Sequence, residues 1–336
     1  MAQSKPASGA SQSLSDEQMA VRVVWHYFME GRTQADIAQA LSTNRLRVNR
    51  IINEARRSGL VTITLNSRLI SCVELELNLA REFGLDRAII VPTPDDPALI
   101  PDLLGRATAD YVAQILSTQT IKGIGVGWGA TLRETVRNMP AMRRPDLYVN
   151  SVMGGLTRGI EINTFDIASD LARRLDAECA YLAAPIFASS AESRAAIMGQ
   201  DVFREAFERI AENDLILLSV GDMTEKSLLM RYGLPRDVSI EELVEAGASG
   251  DVMAHFLDSR GRPIDHPINH RSIALSLDAL RQVPNVVFAS GGLNKVKAIA
   301  AMLLSGLGNA LVSDEDTARA AFDLAVKLRG EASTET

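Results

Sequence analysis

The stretch Ile121-Lys-Gly-Ile-Gly-Val-Gly-Trp-Gly-Ala-Thr-Leu132 decides the fold class. A strand-sized apolar run empties through Gly125, Gly127 and Gly129, and Thr131 then opens a helical run through Arg133 and Val136. Strand, glycine turn and helix in that order are the first half of a βαβ unit. The pattern returns in Val286-Val-Phe-Ala-Ser-Gly-Gly-Leu-Asn-Lys-Val-Lys-Ala-Ile-Ala300, where Ser290-Gly291-Gly292 leads to a helix near Asn294. Further strand-type runs lie at 88–91, 147–153, 180–183, 215–220 and 310–312. Helical patterns lie between them, at 103–116, 167–175, 190–198, 203–213 and 295–304. This alternation predicts a parallel sheet covered on both faces, with ligands gathered at the carboxyl ends of its strands.

Those strand ends supply the binding candidates. Gly127, Trp128, Gly129 and Thr131 form a loop whose backbone can approach a ligand and whose helix start points N–H groups at an anion or hydroxyl. The alternative is a simple tight turn, and the spacing matches neither G-x-G-x-x-G nor the P-loop, so no nucleotide is implied. Lys295 stands in the first turn of its helix, where a cation opposes the helix dipole unless it shares an anion, which marks it as a phosphate-ligand candidate. Only six lysines accompany 29 arginines in the chain, so Lys295 and Lys297 together are not background. Asp251, after the bend Gly247-Ala-Ser-Gly250, either accepts from sugar hydroxyls or stabilises its own turn. Gly154, in Met153-Gly-Gly155, is a weaker candidate of the same kind.

The first 68 residues differ in character. They hold nine Lys or Arg and five acids, whereas the remainder holds 26 basic and 37 acidic residues, within a net charge of −7. A small basic head on a large acidic body suggests a division of labour. In the head, Ser15-Asp-Glu-Gln18 reads as a capping box for a helix that buries Met19, Val23, Val24, Tyr27 and Phe28 and stops at Gly31. Thr33 caps a second helix, 34–41. Ser42-Thr43-Asn44 breaks the chain, and Asn44 caps a third helix, 45–57, with Val48, Ile51, Ile52 and Ala55 inward. Its other face carries Arg45, Arg47, Asn49, Arg50 and Asn53. Arg reads guanine and Asn reads adenine in the major groove, so Thr43, Asn44, Arg45, Arg47, Asn49 and Arg50 are the DNA-binding candidates; the plainer reading is a solvated helix face. Val61–Asn66 alternates as a short strand fit for a minimal wing. Residues 67–84 read as a linker helix, either paired in a short coiled coil or packed on the body.

With 336 residues, 46% of them apolar, the chain is long enough for two globular domains. The parts expected are a polar, disordered tail over 1–14, a helix-turn-helix head over 15–66, the linker helix, and an effector-binding and oligomerising body over 85–330. No run approaches the roughly 18 apolar residues of a membrane helix. Cys72 and Cys179 make no disulfide framework, and His266-Pro-Ile-Asn-His270 lacks the partners of a metal site. The expectation is a cytoplasmic protein with no metal, no cofactor and no catalytic residue.

Taken together, Gly-Val-Gly-Trp-Gly-x-Thr-Leu at 125–132, Ala-Ser-Gly-Asp-x-x-x-x-Phe-x-Asp-x-x-Gly at 248–261 and Ser-Gly-Gly-x-x-Lys-x-x-Ala-Ile at 290–299 resemble the SorC family of sugar-binding bacterial transcriptional regulators. The resemblance spans about residues 18–330. It implies a winged-helix-like head and a Rossmann-like α/β effector domain akin to ribose-5-phosphate isomerase and glucosamine-6-phosphate deaminase. It also implies a homodimer or homotetramer whose grip on double-stranded operator DNA is set by a sugar, polyol or sugar phosphate. Carried onto this chain, Gly127 to Thr131 and Lys295 would surround a phosphate or terminal hydroxyl, and Asp251 would hold sugar hydroxyls. The family's usual Ser-Arg-Pro-Thr-Val-Ser-Arg is here Asn44-Arg-Leu-Arg-Val-Asn-Arg50, resembling regulators of polyol operons. The competing function is a sugar-phosphate isomerase-like enzyme, for which Asp251 is the one evident base.

Overall fold

The computed structural model describes residues 9–61, 69–156 and 162–334, with side chains between 16 and 331. The chain divides into two compact units, Met1–Ser67 and Arg68–Thr336.

In the second unit seven strands form one parallel sheet: β1 (Arg87–Val91), β2 (Gly123–Val126), β3 (Tyr148–Ser151), β4 (Glu178–Ala180), β5 (Leu215–Leu218), β9 (Asn285–Ala289) and β10 (Ala310–Asp314). Their spatial order is β1-β10-β9-β5-β2-β3-β4, with every pairing parallel. Strand periodicity splits the apolar residues between two faces. Leu215, Leu217, Val287 and Val312 pack with Leu104, Val112, Leu132 and Leu171, from the helices Ile100–Thr118, Ala130–Asn138 and Thr164–Leu175. Ile216, Leu218, Val286, Phe288 and Leu311 pack with Leu75, Leu79, Ile299 and Leu303, from the helices Ile70–Phe83 and Val296–Ser305. The body is therefore a three-layer α/β/α sandwich. Between β5 and β9 the chain adds a small antiparallel sheet, β6 (Val220–Gly221), β7 (Gly250–Val252) and β8 (His255–Leu257). A helix over Glu315–Thr334 also extends beyond the elements expected from the sequence.

The order reverses between β2 and β5. The chain leaving β2 runs outward to β3, and the chain leaving β5 runs the other way to β9, so the strand ends part and leave a crevice.

The helix Ile70–Phe83 buries Cys72, Leu75 and Leu79 in the core of the body and caps at Gly84, φ +67°. The packed reading of this segment therefore describes it, while Leu69, Val73 and Leu77 stay exposed.

In the first unit, helices Gly9–Val24, Gln34–Ala40 and Arg45–Arg57 close on Val23, Ile37, Ala38, Val48 and Ile52. The first helix widens into a π-turn over Trp25–Met29 before Gly31, φ +67°, stops it. Residues 9–14, expected in the tail, are helical, and Ser15 lies inside the helix rather than capping it. Pro6 and Gly9 are the breakers upstream, and nothing after Gly9 obliges the helix to wait until Ser15. The proposed wing strand, 61–66, lies almost wholly outside the described residues.

Candidate functional site

A cavity of about 770 Å³ opens at the crevice and is lined by residues from the carboxyl ends of six of the seven parallel strands. Gly127, Trp128, Gly129 and Thr131 follow β2. Ser219, Gly221 and Asp222 follow β5, Gly291 to Lys295 follow β9, Asp314 ends β10, Thr93 follows β1 and Met153 follows β3. Asp251 enters from β7, beside β6. Six of the seven effector-binding candidates thus share one cavity. Gly154 is not among its lining residues: a Cβ there would collide with the Pro185 carbonyl oxygen, so this glycine serves backbone packing.

Lys295 crosses the floor. Its ammonium donates to the Val220 carbonyl at 3.0 Å, Ser290 Oγ at 3.3 Å and Ser219 Oγ at 3.4 Å. Burial pushes its pKa down, while Asp222 and Asp251 pull it back up. Asp251 is 5% exposed. Its Oδ2 accepts from Ala254 N at 3.0 Å, and its Oδ1 has no partner among the described residues. Burial raises this carboxyl to about 6 against the pull of the Ala254 N–H and Lys295. A Cβ at position 221 would collide with Asp251 Oδ1, so any larger residue there would force the buried carboxylate to move. The turn that Asp251 braces carries Met253 and Ala254 at φ +50° and +60°, a conformation costly for side-chain-bearing residues and one that concentrates at functional sites.

The other two buried carboxylates are occupied. Asp222 accepts from Thr224 N at 2.9 Å, from the Thr224 hydroxyl and from Asn294 Nδ2 at 2.8 Å. Asp314 accepts from Gly292 N at 2.9 Å, Thr317 N at 3.1 Å and Thr93 Oγ1 at 3.1 Å. Asp222, Asp314, Ser219 and Ser290 lie outside the binding candidates marked by the sequence. Each looks like an ordinary turn or cap residue until the sheet order brings the strand ends together. Chemically, the cavity offers one free buried acceptor, apolar walls including Trp128, Leu218 and Leu229, and a glycine loop leading into the helix Ala130–Asn138.

In the first unit the helix Arg45–Arg57 is capped as expected: Asn44 Oδ1 accepts from Arg47 N at 2.8 Å, and Thr33 Oγ1 caps the preceding helix by accepting from Asp36 N at 3.2 Å. Arg45, Asn49, Arg50 and Asn53 are exposed on one face. Arg47 turns aside to pair with Asp16 at 2.9 Å, and Thr43 is half-buried in the turn. Leu46, 82% exposed, heads the row that continues through Arg50, an apolar contact surface missing from the residues singled out by sequence.

The family described as "Putative sugar-binding domain" matches residues 67–322, the whole of the sheet and its cavity. The chain belongs to the SorC family of sugar-binding transcriptional regulators. This SorC-family chain is 30% identical to the erythritol catabolism regulatory protein EryD of Brucella abortus (strain 2308), over 91% of its own length and 96% of that protein's. It is 29% identical to the transcriptional regulator LsrR of Klebsiella pneumoniae, over 94% and 96%. Its fold resembles that of the full-length sorbitol operon regulator SorC from Klebsiella pneumoniae, with a TM-score of 0.69 at 23% identity over 92% and 99% of the two chains. Like those relatives, the chain is a transcriptional regulator. No helix among its described residues is long and apolar enough to cross a membrane.

Proposed function

We propose that the chain regulates a carbohydrate or polyol catabolic operon by binding operator DNA through its head, under the control of a sugar, polyol or sugar phosphate held in the body, and without catalytic turnover. In this reading 15–66 is a helix-turn-helix domain, and the helix Arg45–Arg57 enters the major groove. Arg45, Asn49 and Arg50 address base edges, while Thr43, Asn44 and Arg47 sit at the helix start near phosphate. The body is of the sugar-phosphate isomerase and deaminase type, and Gly127, Trp128, Gly129, Thr131, Asp251 and Lys295 surround the effector. Oligomerisation as a dimer or tetramer sets two heads at operator spacing. An effector that binds one quaternary arrangement better than another then changes operator affinity, and a tenfold preference contributes about 1.4 kcal/mol per site.

The observation that carries this reading is the presence, in one chain, of an exposed arginine-bearing helix face and a separate cavity floored by a buried carboxylate with an unused oxygen. The test is a gel-mobility assay on the DNA upstream of the neighbouring operon, with and without candidate carbohydrates. Each arginine–guanine pair is worth about 1–3 kcal/mol, so Arg45→Ala with Arg50→Ala should lower retention at least about 30-fold. Carbohydrate-induced thermal stabilisation should be unchanged in that variant. Wild-type retention of no upstream fragment, or retention indifferent to every carbohydrate, overturns the reading.

A further inference from the structure

We propose that Glu315 couples the cavity to the head: its carboxylate is the joint through which a bound effector resets the first turn of the linker helix, Ile70–Phe83. This rests on the effector reading above and deepens it by naming the residues that carry the signal.

β10 (Ala310–Asp314) passes into the helix Glu315–Thr334 with no residue between them. At this junction the side chains divide. Asp314, Asp316 and Thr317 line the cavity, and the loops around it hold them. Gly292 N donates to Asp314 Oδ1 and to Thr317 Oγ1, each at 2.9 Å. Thr93 Oγ1 donates to Asp314 Oδ2 at 3.1 Å and accepts from Asp316 N at 2.8 Å. Glu315 sits among these residues in sequence but reaches the linker helix instead. Its Oε2 accepts from Cys72 Sγ at 3.5 Å, and the Ser71 side chain also hydrogen-bonds to the carboxylate. Its Oε1 accepts from Arg319 at 2.9 Å. Burial and the Glu315 charge push the Cys72 thiol up to about 11, so at neutral pH it keeps the proton it donates. One short stretch of chain thus ties two cavity loops to the start of the linker helix.

The far end of the linker helix is fixed to the same helix by other means. Phe83 and Phe322 meet edge to face with centroids 5.9 Å apart. Arg329 donates to the Glu82 carbonyl at 2.7 Å and to Glu82 Oε1 at 3.0 Å, and its guanidinium lies over the Phe83 ring. The near end is tied by Glu315, partly through a thiol, which is a weak donor. The carboxylate therefore has two settings: shared between Arg319 and the linker helix, as here, or withdrawn to Arg319 alone. An effector that draws on the Gly292 or Thr93 loop shifts the junction and favours one setting over the other. The linker helix starts at Ile70, close in sequence to Ser67, where the head's unit ends, so the setting of its first turn bears on the chain that leads to the head.

The experiment measures operator affinity of the full chain with and without effector by gel mobility, and effector affinity by calorimetry. The probe is whichever of the tetritols, pentitols and hexitols, the corresponding aldoses and ketoses, and their terminal phosphates most raises the wild-type melting temperature. Coupling between two sites is typically about 5–150-fold, and Glu315→Ala should bring the effector's influence on operator affinity to within about twofold of none. Ser71→Ala with Cys72→Ala should do the same from the linker side. Both variants should bind the probe within about threefold of wild type, because coupling and intrinsic affinity are separate quantities. Cys72→Ser keeps a donor and should retain the response, a rescue that a packing role for the thiol would not give. Melting temperatures of the unliganded variants report folding, and the linker-side variant decides if Glu315→Ala does not fold. A full effector response in the folded variants, or loss of coupling only in step with loss of probe binding, overturns the inference and leaves an effector-controlled regulator standing. A wild-type operator affinity that no probe changes overturns the inference and the effector reading together.

Discussion

The head and the body solve opposite problems. Among the described residues the head closes on one small apolar cluster and displays its arginines; the body encloses two extensive cores and hides its decisive charges in a cavity. A small core leaves little reserve of stability, and an exposed cationic helix draws its affinity from long-range electrostatics that salt weakens. A recessed, carboxylate-floored cavity selects by hydrogen bonding at short range, where salt matters little. Placing the two tasks on separate folding units lets each be tuned alone, and that separation can be broken or sharpened by experiment.

The largest effect should come from the head's core. Ile52 is 2% exposed, and Ile52→Ala should cost about 2–5 kcal/mol. In so small a unit that loss should abolish operator retention while the body's melting transition and effector binding stay in place, as read by calorimetry with ligand. A lowered body transition would show that the two units fold as one.

Next comes pH. Asp251 titrates near 6 in the folded chain, above the usual carboxylate range, so between roughly pH 4 and 6 the folded state holds the extra proton. As pH falls through that window this group adds up to about 3 kcal/mol, opposing buried His255, whose imidazole is held down to about 4 by burial and loses stability over the same range, so Asp251→Asn should make the acid-side loss of stability steeper. Lys295 and Asp222 are the charged groups facing it, and both remain in the variant. Affinity for a hydroxylated effector should fall over the same window, because the protonated carboxyl has lost acceptor strength. Unliganded melting curves of the two proteins from pH 4 to 7.5 check the sign.

The smallest effect is the cap. Asn44→Ala removes the acceptor for Arg47 N and should cost the head about 1 kcal/mol, seen as a modest drop in operator retention with no change in the body.

Much of this was legible in the sequence, and the reasons are local. The seven parallel strands announce themselves as β-type runs between helical ones, and the caps Thr33 and Asn44 follow from side chains that compete for backbone N–H groups. The hairpin β7–β8 was harder to see. Its strands are three residues long, and its turn places Met253 and Ala254, neither of them glycine, at positive φ. The role of Lys295 could not be read either. Its helix-start position suggests an anion site, but the acceptors that occupy it come from the ends of β5 and β9, neighbours only through the crossover order of the sheet. Gly154 shows the same limit from the other side: a strand-end glycine looks like a ligand loop until the Pro185 carbonyl appears beneath it. Residues adjacent in sequence carry local chemistry, whereas contacts between distant strand ends depend on topology.

The central claim is that the carbohydrate cavity and the DNA-reading helix are thermodynamically linked. Linkage is reciprocal, so the most direct measurement is the effector's dissociation constant for the free chain and for the chain bound to its operator. The account predicts that the two constants differ by the same factor by which saturating effector changes operator affinity. Equal constants, with operator affinity unmoved by effector, would contradict it.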